Sequence, residues 1–194
     1  MNPDDPQVYL ALFPTAIGAC GIAWRGEAVL ATHLPEATEA MTKARLAARS
    51  GATGEDTPPA AIEAAIRAIT ALLEGERVDL DFIACDFSRI DPFSADIYRI
   101  TRAIRPGETR TYGAIAEEHG DKRLAQAVGQ ALGRNPLPII VPCHRVMGAN
   151  GRLTGFSANG GTATKLRMLA IEGAQPGGAP SLFDDLPLAG RPAR

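Results

Sequence analysis

The stretch Pro142-Cys143-His144-Arg145-Val146 places a cysteine directly between a proline and a histidine. It follows the apolar run Leu137-Pro138-Ile139-Ile140-Val141, which predicts a short buried strand that ends at Pro142. We therefore expect Cys143 at the rim of a hydrophobic core. A thiol attacks carbon efficiently only as a thiolate, and a base that takes its proton through hydrogen bonds supplies that state. A cysteine beside a histidine is by itself more often structural, so the surrounding sequence has to decide.

Composition predicts a soluble globular protein of one or two domains, because 194 residues with ordinary hydrophobic and charged content suffice to bury a core. No apolar run reaches the length of a membrane span, and Asp4 and Asp5 stand where a signal peptide would be basic. Cys20, Cys85 and Cys143 are odd in number and far apart in sequence. This argues against disulfides and for a reducing cytoplasm.

Neither a metal nor a cofactor is predicted. No two cysteines have CxxC spacing, and the three histidines, His33, His119 and His144, are widely separated, so a zinc site is not expected. The sequence also lacks a glycine-rich dinucleotide motif and a phosphate loop.

Charge is distributed unevenly along the chain. Residues 1–91 carry 7 Lys and Arg against 14 Asp and Glu, whereas residues 92–175 carry 11 against 6. A basic half joined to an acidic half is consistent with a polyanionic partner for the basic half, although a solvated surface also produces such a difference.

Residues 1–91 predict a small α/β support domain. Apolar runs separated by Pro14, Gly18 and Gly26 over residues 8–33 are typical of β-hairpins. Helices are expected over residues 36–49 and 60–73, and another strand over 78–82. Residues 176–194, rich in proline and glycine, are expected to form a flexible tail.

Residues 92–175 predict a mostly α-helical domain that contains a helix-turn-helix. Proline follows Asp91 at an expected helix start, and Thr111 can cap a second helix that ends near His119. A short glycine-containing turn leads into a third helix over residues 122–132, and two short helices joined in this way form the motif.

The second helix of the motif is built from unusually small residues. Reading base edges in the major groove requires long polar side chains, and this helix has few of them. Alanine and glycine instead allow the helix backbone to approach DNA closely, which suits sequence-independent binding in the minor groove. Packing against another helix explains the same composition equally well.

Several sequence blocks together resemble the O6-alkylguanine-DNA alkyltransferases, also called methylated-DNA–protein-cysteine methyltransferases. The blocks are Pro106-Gly107-Glu108-Thr109-Arg110-Thr111-Tyr112-Gly113, Ala127-Val128-Gly129-Gln130-Ala131-Leu132-Gly133-Arg134-Asn135-Pro136, Ile140 to Val146, Leu153-Thr154-Gly155-Phe156-Ser157 and Lys165 to Gly173. Their order and number make the match specific over about the C-terminal half.

The resemblance implies the chemistry of the site. Cys143 would accept the alkyl group from guanine O6 irreversibly, so each molecule would react once, without a cofactor. His144 would deprotonate Cys143 through a water, and Glu172 would orient the histidine and stabilise its cation. Asn135 would hold the turn between the recognition helix and the active-site loop. Arg145 is expected to tie that loop to its surroundings.

The resemblance also implies how the lesion base is held. Tyr112 would donate a hydrogen bond towards the base, Ser157 would donate near the modified oxygen, and the backbone carbonyls of Cys143 and Val146 would accept from the guanine amino group. Phe156, where tyrosine is frequent, would help to form the base pocket. The loop from Ser157 to Thr164 is about two residues longer than is common in the family, which leaves open a bulge into solvent.

The resemblance implies minor-groove binding of DNA and base flipping. Gln126 occupies the usual position of an arginine that fills the gap left by the flipped base. Arg123, one turn earlier on the same helical face, is a candidate substitute. The residues expected at the DNA interface are Thr111, Arg123, Ala125, Gln126, Ala127 and Gly129.

The leading function is therefore repair of O6-alkylguanine in DNA, with O4-alkylthymine as a second candidate substrate. The alternative is a non-repairing protein that binds alkyl lesions and recruits excision repair, but known members of that kind lack the cysteine. A cysteine hydrolase rests only on the presence of Cys and His. The expected partner is DNA containing alkylated guanine, with no membrane association, and the expected state is a monomer.

Overall fold

The N-terminal part of the chain is a four-stranded sheet covered by helices, as the sequence predicts. The computed structural model describes residues 7–174. The elements are β1 (Tyr9–Phe13), β2 (Cys20–Arg25), β3 (Ala28–His33), α1 (Glu39–Ser50), β4 (Gly54–Glu55) and α2 (Ala60–Leu73). The order of strands in the sheet is β3-β2-β1-β4, with β1–β2 and β2–β3 antiparallel and β4 parallel to β1. The expected tail, residues 176–194, lies outside the described residues.

Helix α1 begins three residues later than the sequence predicts because Thr38 caps it. The Thr38 side chain accepts a hydrogen bond from the Met41 amide at 3.2 Å, which satisfies one of the unpaired amides of the first turn. The helix ends at Gly51, whose φ of 74° is the left-handed conformation that glycine adopts without cost. The prediction of α2 over residues 60–73 is confirmed.

The predicted strand over residues 78–82 is wrong. The segment turns instead, with the Ile83 amide bonded to the Leu80 carbonyl at 3.1 Å. The guanidinium of Arg102 donates to the carbonyls of Leu80 and Ile83 at 3.1 and 3.0 Å. These carbonyls are therefore satisfied by a side chain and need no neighbouring strand.

The C-terminal part is mostly helical and contains the predicted helix-turn-helix. The elements are α3 (Pro92–Arg102), β5 (Arg110–Thr111), α4 (Tyr112–His119), α5 (Ala125–Gly133), β6 (Val146–Met147) and α6 (Thr162–Ile171). Helices α4 and α5 form the motif, but α5 is shorter than expected, since a 3-10 turn, Lys122–Leu124, precedes it. Strands β5 and β6 form a two-stranded parallel sheet that the sequence did not predict.

The predicted buried strand over residues 137–141 is also wrong, although the segment is buried. The chain turns here, because Ile139 has a φ of 78° and the Val141 amide bonds to the Leu137 carbonyl at 2.8 Å. Pro136 and Pro138 have no amide hydrogen for a sheet ladder. The buried carbonyls of both prolines are satisfied by Thr32, through its amide and its hydroxyl respectively.

Thr32 joins the two parts of the molecule. It lies in β3, is 1% exposed, and donates both of its hydrogen bonds to the turn that leads to Cys143. One continuous apolar core includes Ile22 of the sheet, Ile69 of α2 and Val128 of α5. The division of the chain at residue 91 remains a prediction. Within residues 7–174, no helix has both the length and the apolar character needed to cross a membrane.

Replacing Thr32 with valine should destabilise the protein by about 1–3 kcal/mol, because the buried Pro138 carbonyl loses its donor while side-chain volume is kept. The free energy of unfolding from urea titrations measures the effect. Thr57→Val, at an exposed position, is the control. Equal stabilities of the two variants would contradict the bridging role of Thr32.

Candidate active site

Cys143 begins a 3-10 turn, Cys143–Arg145, directly after the buried turn at residues 137–141. Its amide donates to the Val141 carbonyl at 2.7 Å, so the two turns are continuous. The residue is 9% exposed and lines a cleft at the surface. The structure thus brings Cys143 to the edge of the core, where the residue lines the cleft.

Asn135 braces both ends of the turn that presents Cys143. Its side-chain amide donates to the Val141 carbonyl, and its side-chain oxygen accepts from the Leu137 amide, both at 2.9 Å. The same side chain lowers the pKa of the Cys143 thiol, which burial raises. Buried at 4% exposure, Asn135 supplies two hydrogen bonds that fix the turn before Cys143.

Three buried side chains that are charged or ionisable form a connected group beside the turn that carries Cys143. His144 Nε2 is 2.9 Å from Glu172 Oε1, and Arg145 donates to both carboxylate oxygens at 2.8 Å. Arg145 also donates to the Ile104 carbonyl. Glu172 follows the end of α6, so the carboxylate joins this helix to the turn that carries Cys143. His144 Nδ1 is buried and has no hydrogen-bond partner within residues 7–174.

Burial and charge determine the resting protonation states. Burial alone would raise the pKa of Glu172, but hydrogen bonds from His144 and Arg145 lower it to about 2. Burial lowers the pKa of His144, and Glu172 opposes this only in part. A neutral imidazole that donates from Nε2 to an ionised carboxylate carries its lone pair on Nδ1. The imidazole is therefore ready to accept a proton at Nδ1.

Lys165 is a residue of this site that the sequence reasoning did not single out. It lies in the first turn of α6, is fully buried, and donates through Nζ to the Val146 carbonyl. Burial raises the pKa of the Cys143 thiol, while the hydrogen bond from Asn135 and the positive charge of Lys165 lower it. A lysine close to the apolar residues Leu166, Met168 and Leu169 was the available signal in the sequence.

The predicted base-pocket residues differ in exposure. Val146 is buried, Tyr112 and Phe156 are half-buried, and Ser157 is exposed. The Tyr112 hydroxyl accepts a hydrogen bond from Thr154 at 3.1 Å, which leaves its own hydrogen available for another acceptor. Phe156 and Ser157 line the same cleft as Cys143.

The helix-turn-helix presents small residues with a polar side chain at its edge. Thr111 caps α4 by accepting from the Ala114 amide at 3.1 Å, and Gln126 is exposed. The other predicted interface residues on α5, which are partly buried, are Ala125, Ala127 and Gly129. Of the alanines of this helix, Ala131 packs into the core.

Arg123 does not share a continuous α-helix with Gln126, contrary to the prediction. Asp121 accepts from the Arg123 amide at 2.9 Å and produces the 3-10 turn, so α5 begins only at Ala125. The Arg123 guanidinium is 90% exposed and is bound by the Asp121 carboxylate.

Known proteins similar to this chain share both its sequence and its fold. Residues 92–174 match a family model described as the DNA-binding domain of 6-O-methylguanine DNA methyltransferase. A methylated-DNA–protein-cysteine methyltransferase of Mycolicibacterium paratuberculosis is 42% identical over 132 residues, which cover 68% of this chain and 78% of the relative. The match therefore extends well into the N-terminal part.

Solved structures agree with the sequence comparisons. The crystal structure of the Mycobacterium tuberculosis O6-methylguanine methyltransferase has a TM-score of 0.70 at 33% identity and covers 86% of this chain and 93% of its own. A structure of the M. tuberculosis protein in complex with DNA has a TM-score of 0.67 at 32% identity, covering 84% of this chain and 92% of its own.

Glu172→Gln should reduce the dependence of stability on acidic pH. Because the folded-state pKa of Glu172 is depressed to about 2, its ionised form stabilises the fold above its unfolded pKa, and this stabilisation is lost as the pH falls towards the folded value. Urea unfolding of the wild type between about pH 5 and pH 2 should therefore show a steeper loss than the variant does. Glu63→Gln, at an exposed position, is the control. Parallel profiles for wild type and Glu172→Gln would contradict the assignment.

Proposed function

The chain belongs to the methylated-DNA–protein-cysteine methyltransferase family, whose members repair DNA by direct alkyl transfer, and we propose that Cys143 is its alkyl acceptor. The observation that carries this proposal is the arrangement behind the thiol. A buried, uncharged imidazole with an available Nδ1 lies next to Cys143 in sequence and is held by an ionised carboxylate. Such an arrangement can take a proton from a thiol and stabilise the resulting imidazolium.

The reaction is a single in-line displacement. The thiol proton passes through a water to His144 Nδ1, and Glu172 stabilises the cation. The thiolate of Cys143 then forms a sulfur–carbon bond to the alkyl carbon, while the bond between that carbon and guanine O6 breaks. The electron pair remains on the guanine, which takes up a proton as it leaves. The thioether persists, so each protein molecule reacts once.

The site residues divide between proton transfer and base recognition. Asn135 and Lys165 favour the thiolate, because the polar side chain of the first and the positive charge of the second lower the pKa of the thiol against the effect of burial. Tyr112 and Ser157 would donate to the lesion base, and the Val146 carbonyl would accept from its amino group. Phe156 would form a wall of the base pocket.

DNA is the partner of the family, and alkylated guanine within it is the substrate that we propose here, with O4-alkylthymine as a second candidate. The small residues Ala127 and Gly129 would allow α5 to approach the minor groove closely. Gln126 would occupy the gap left when the lesion base is flipped into the site. We further propose that the protein acts as a monomer in the reducing cytoplasm, which its free cysteines favour.

Incubation with an oligonucleotide containing O6-methylguanine should add one methyl group per protein molecule. Intact-mass and peptide mass spectrometry should locate the methyl group on Cys143, and the gain should be absent in Cys143→Ser. Cys20→Ser, which removes a buried cysteine elsewhere, is the control and should react. Tight lesion binding without a mass gain would instead identify a protein that binds lesions without repairing them.

Gln126→Arg should accelerate repair of duplex lesions about tenfold, because a longer, charged side chain better replaces the flipped base. Single-turnover methyl transfer to duplex and single-stranded substrates measures the effect. The rate on single strands should stay within about twofold, since no base pair has to be opened there. Gln130→Arg, one turn further along α5, is the matched control. An unchanged duplex rate would show that Gln126 does not limit flipping.

A further inference from the structure

The cleft in front of Cys143 has a second wall that belongs to the N-terminal part of the chain. The cleft encloses about 580 Å³, part of it open to solvent. Its lining includes Cys143 from the C-terminal part and His33, Leu34, Glu36, Arg45 and Arg49 from the N-terminal part. These five residues, from the end of β3 to α1, are called the polar wall below. The mechanism of methyl transfer uses none of them.

The polar wall is ordered by a buried carboxylate. The Glu36 side chain is 8% exposed, and its Oε1 lies 3.0 Å from His33 Nε2 and 3.2 Å from Arg45 Nε. The Glu36 amide donates to the Thr42 hydroxyl at 3.0 Å. His33 Nδ1 is buried and, among residues 7–174, shares with His144 Nδ1 the lack of any hydrogen-bond partner. The buried carboxylate of Glu36 therefore has its hydrogen-bonding and ion-pair partners within the polar wall.

The polar wall carries a net positive charge next to the nucleophile. Arg45 and Arg49 are separated by four residues on α1 and so lie on one face of the helix. Arg49 donates through one nitrogen to the backbone carbonyl of Asn135 at 3.1 Å, the residue that braces the turn carrying Cys143. A guanidinium has five N–H donors, so this bond leaves Arg49 able to bind an anion. The polar wall thus contains two positively charged guanidinium groups and one carboxylate.

The direction of attack determines what enters the cleft. In an in-line displacement the sulfur, the attacked carbon and the leaving oxygen are collinear, so the rest of the alkyl group projects sideways from that carbon. A methyl group has nothing to project. A longer group has to extend into the cleft that Cys143 lines, and the polar wall lines the same cleft.

We propose that this cleft accepts O6-alkyl groups that end in an anionic oxygen group, of which carboxymethyl is the smallest, and that Arg45 and Arg49 bind the anionic end. The inference rests on the proposed function, since it requires transfer to Cys143. In the transfer the sulfur bonds to the methylene carbon and the bond from that carbon to guanine O6 breaks. The electron pair goes to the guanine and the carboxylate is carried over unchanged.

The long loop after Phe156 contributes to the same cleft. Ser157, Ala158 and Asn159 line it, and the Asn159 side-chain amide lies 3.5 Å from the Pro35 carbonyl, next to the polar wall. The Thr164 hydroxyl donates to the Asn159 carbonyl at 2.6 Å. The loop therefore extends along the cleft towards the polar wall, and in this position it would help to enclose an alkyl group.

The test compares two adducts of nearly the same shape in one oligonucleotide sequence. O6-carboxymethylguanine ends in a carboxylate, and O6-carbamoylmethylguanine ends in a neutral amide. The quantity measured is the ratio of their single-turnover transfer rates, read by intact mass. Arg45→Met and Arg49→Met should each lower the ratio about fivefold relative to the wild type, as expected for removing one partly exposed charge interaction. Differences in intrinsic reactivity cancel, because the same adducts are compared in each variant.

Controls separate the charge effect from general damage. Arg45→Lys and Arg49→Lys keep the charge and should retain most of the wild-type ratio, and Arg67→Met, on α2 and outside the cleft, should leave it unchanged. In the wild type, the ratio should fall as salt is raised. If the two methionine variants slow transfer from both adducts equally, the arginines act by binding the DNA backbone or by stabilising the fold, and the proposal is overturned.

Transfer of a plain methyl group is measured in parallel on the wild type. Suppose that the methyl group is transferred to Cys143, but the ratio of carboxymethyl to carbamoylmethyl transfer rates is the same in the wild type and in both methionine variants. This result would overturn the inference and leave the proposed function intact. An absence of transfer from all three adducts would overturn the proposed function itself.

Discussion

Burial of the Glu172 carboxylate is the constraint on which the site depends. An ionised carboxylate removed from water needs charged or hydrogen-bonding partners to compensate for the lost hydration. His144 and Arg145 supply three contacts to its two oxygens. Because Glu172 follows α6 and its partners lie in the turn after Pro142, this requirement links the last described helix to the turn that carries Cys143. The same contacts orient the imidazole of His144.

The environment of Cys143 favours a protonated thiol at rest. Burial raises its pKa, and the contributions of Asn135 and Lys165 act in the opposite direction. A buried thiol is poorly reactive towards reagents in solution, because the thiolate is the nucleophile. A protein that is consumed by one reaction benefits from this, since the thiol is kept for a substrate bound against His144 and the surrounding polar groups.

The N-terminal part does more than cover the core. Thr32 satisfies two carbonyls of the turn that leads to Cys143, and Arg49 donates to a third, that of Asn135. Pro136 and Pro138 have no amide hydrogen to donate, and Ile139 adopts a left-handed backbone conformation. The shape of the segment is therefore held by Asn135 together with Thr32 and Arg49 of the acidic half of the chain, which also forms the polar wall.

Helices α1 to α5 and the order of the motifs follow from the sequence, because periodicity and capping are local properties, whereas α6 was not predicted. Thr111, Pro92 and the apolar spacing of α2 predicted their elements, and the family blocks indicated Cys143, His144 and Glu172. The two wrong strands have a common cause. Residues 137–141 are apolar, and residues 78–82 alternate apolar residues with Asp79 and Asp81. The carbonyls of Leu80 and Pro138 are satisfied by Arg102 and Thr32, which lie far away in sequence, so neither segment needs a neighbouring strand. Lys165 and the polar wall became visible only when the chain was folded, since burial beside a sulfur and two facing charges depend on tertiary contacts.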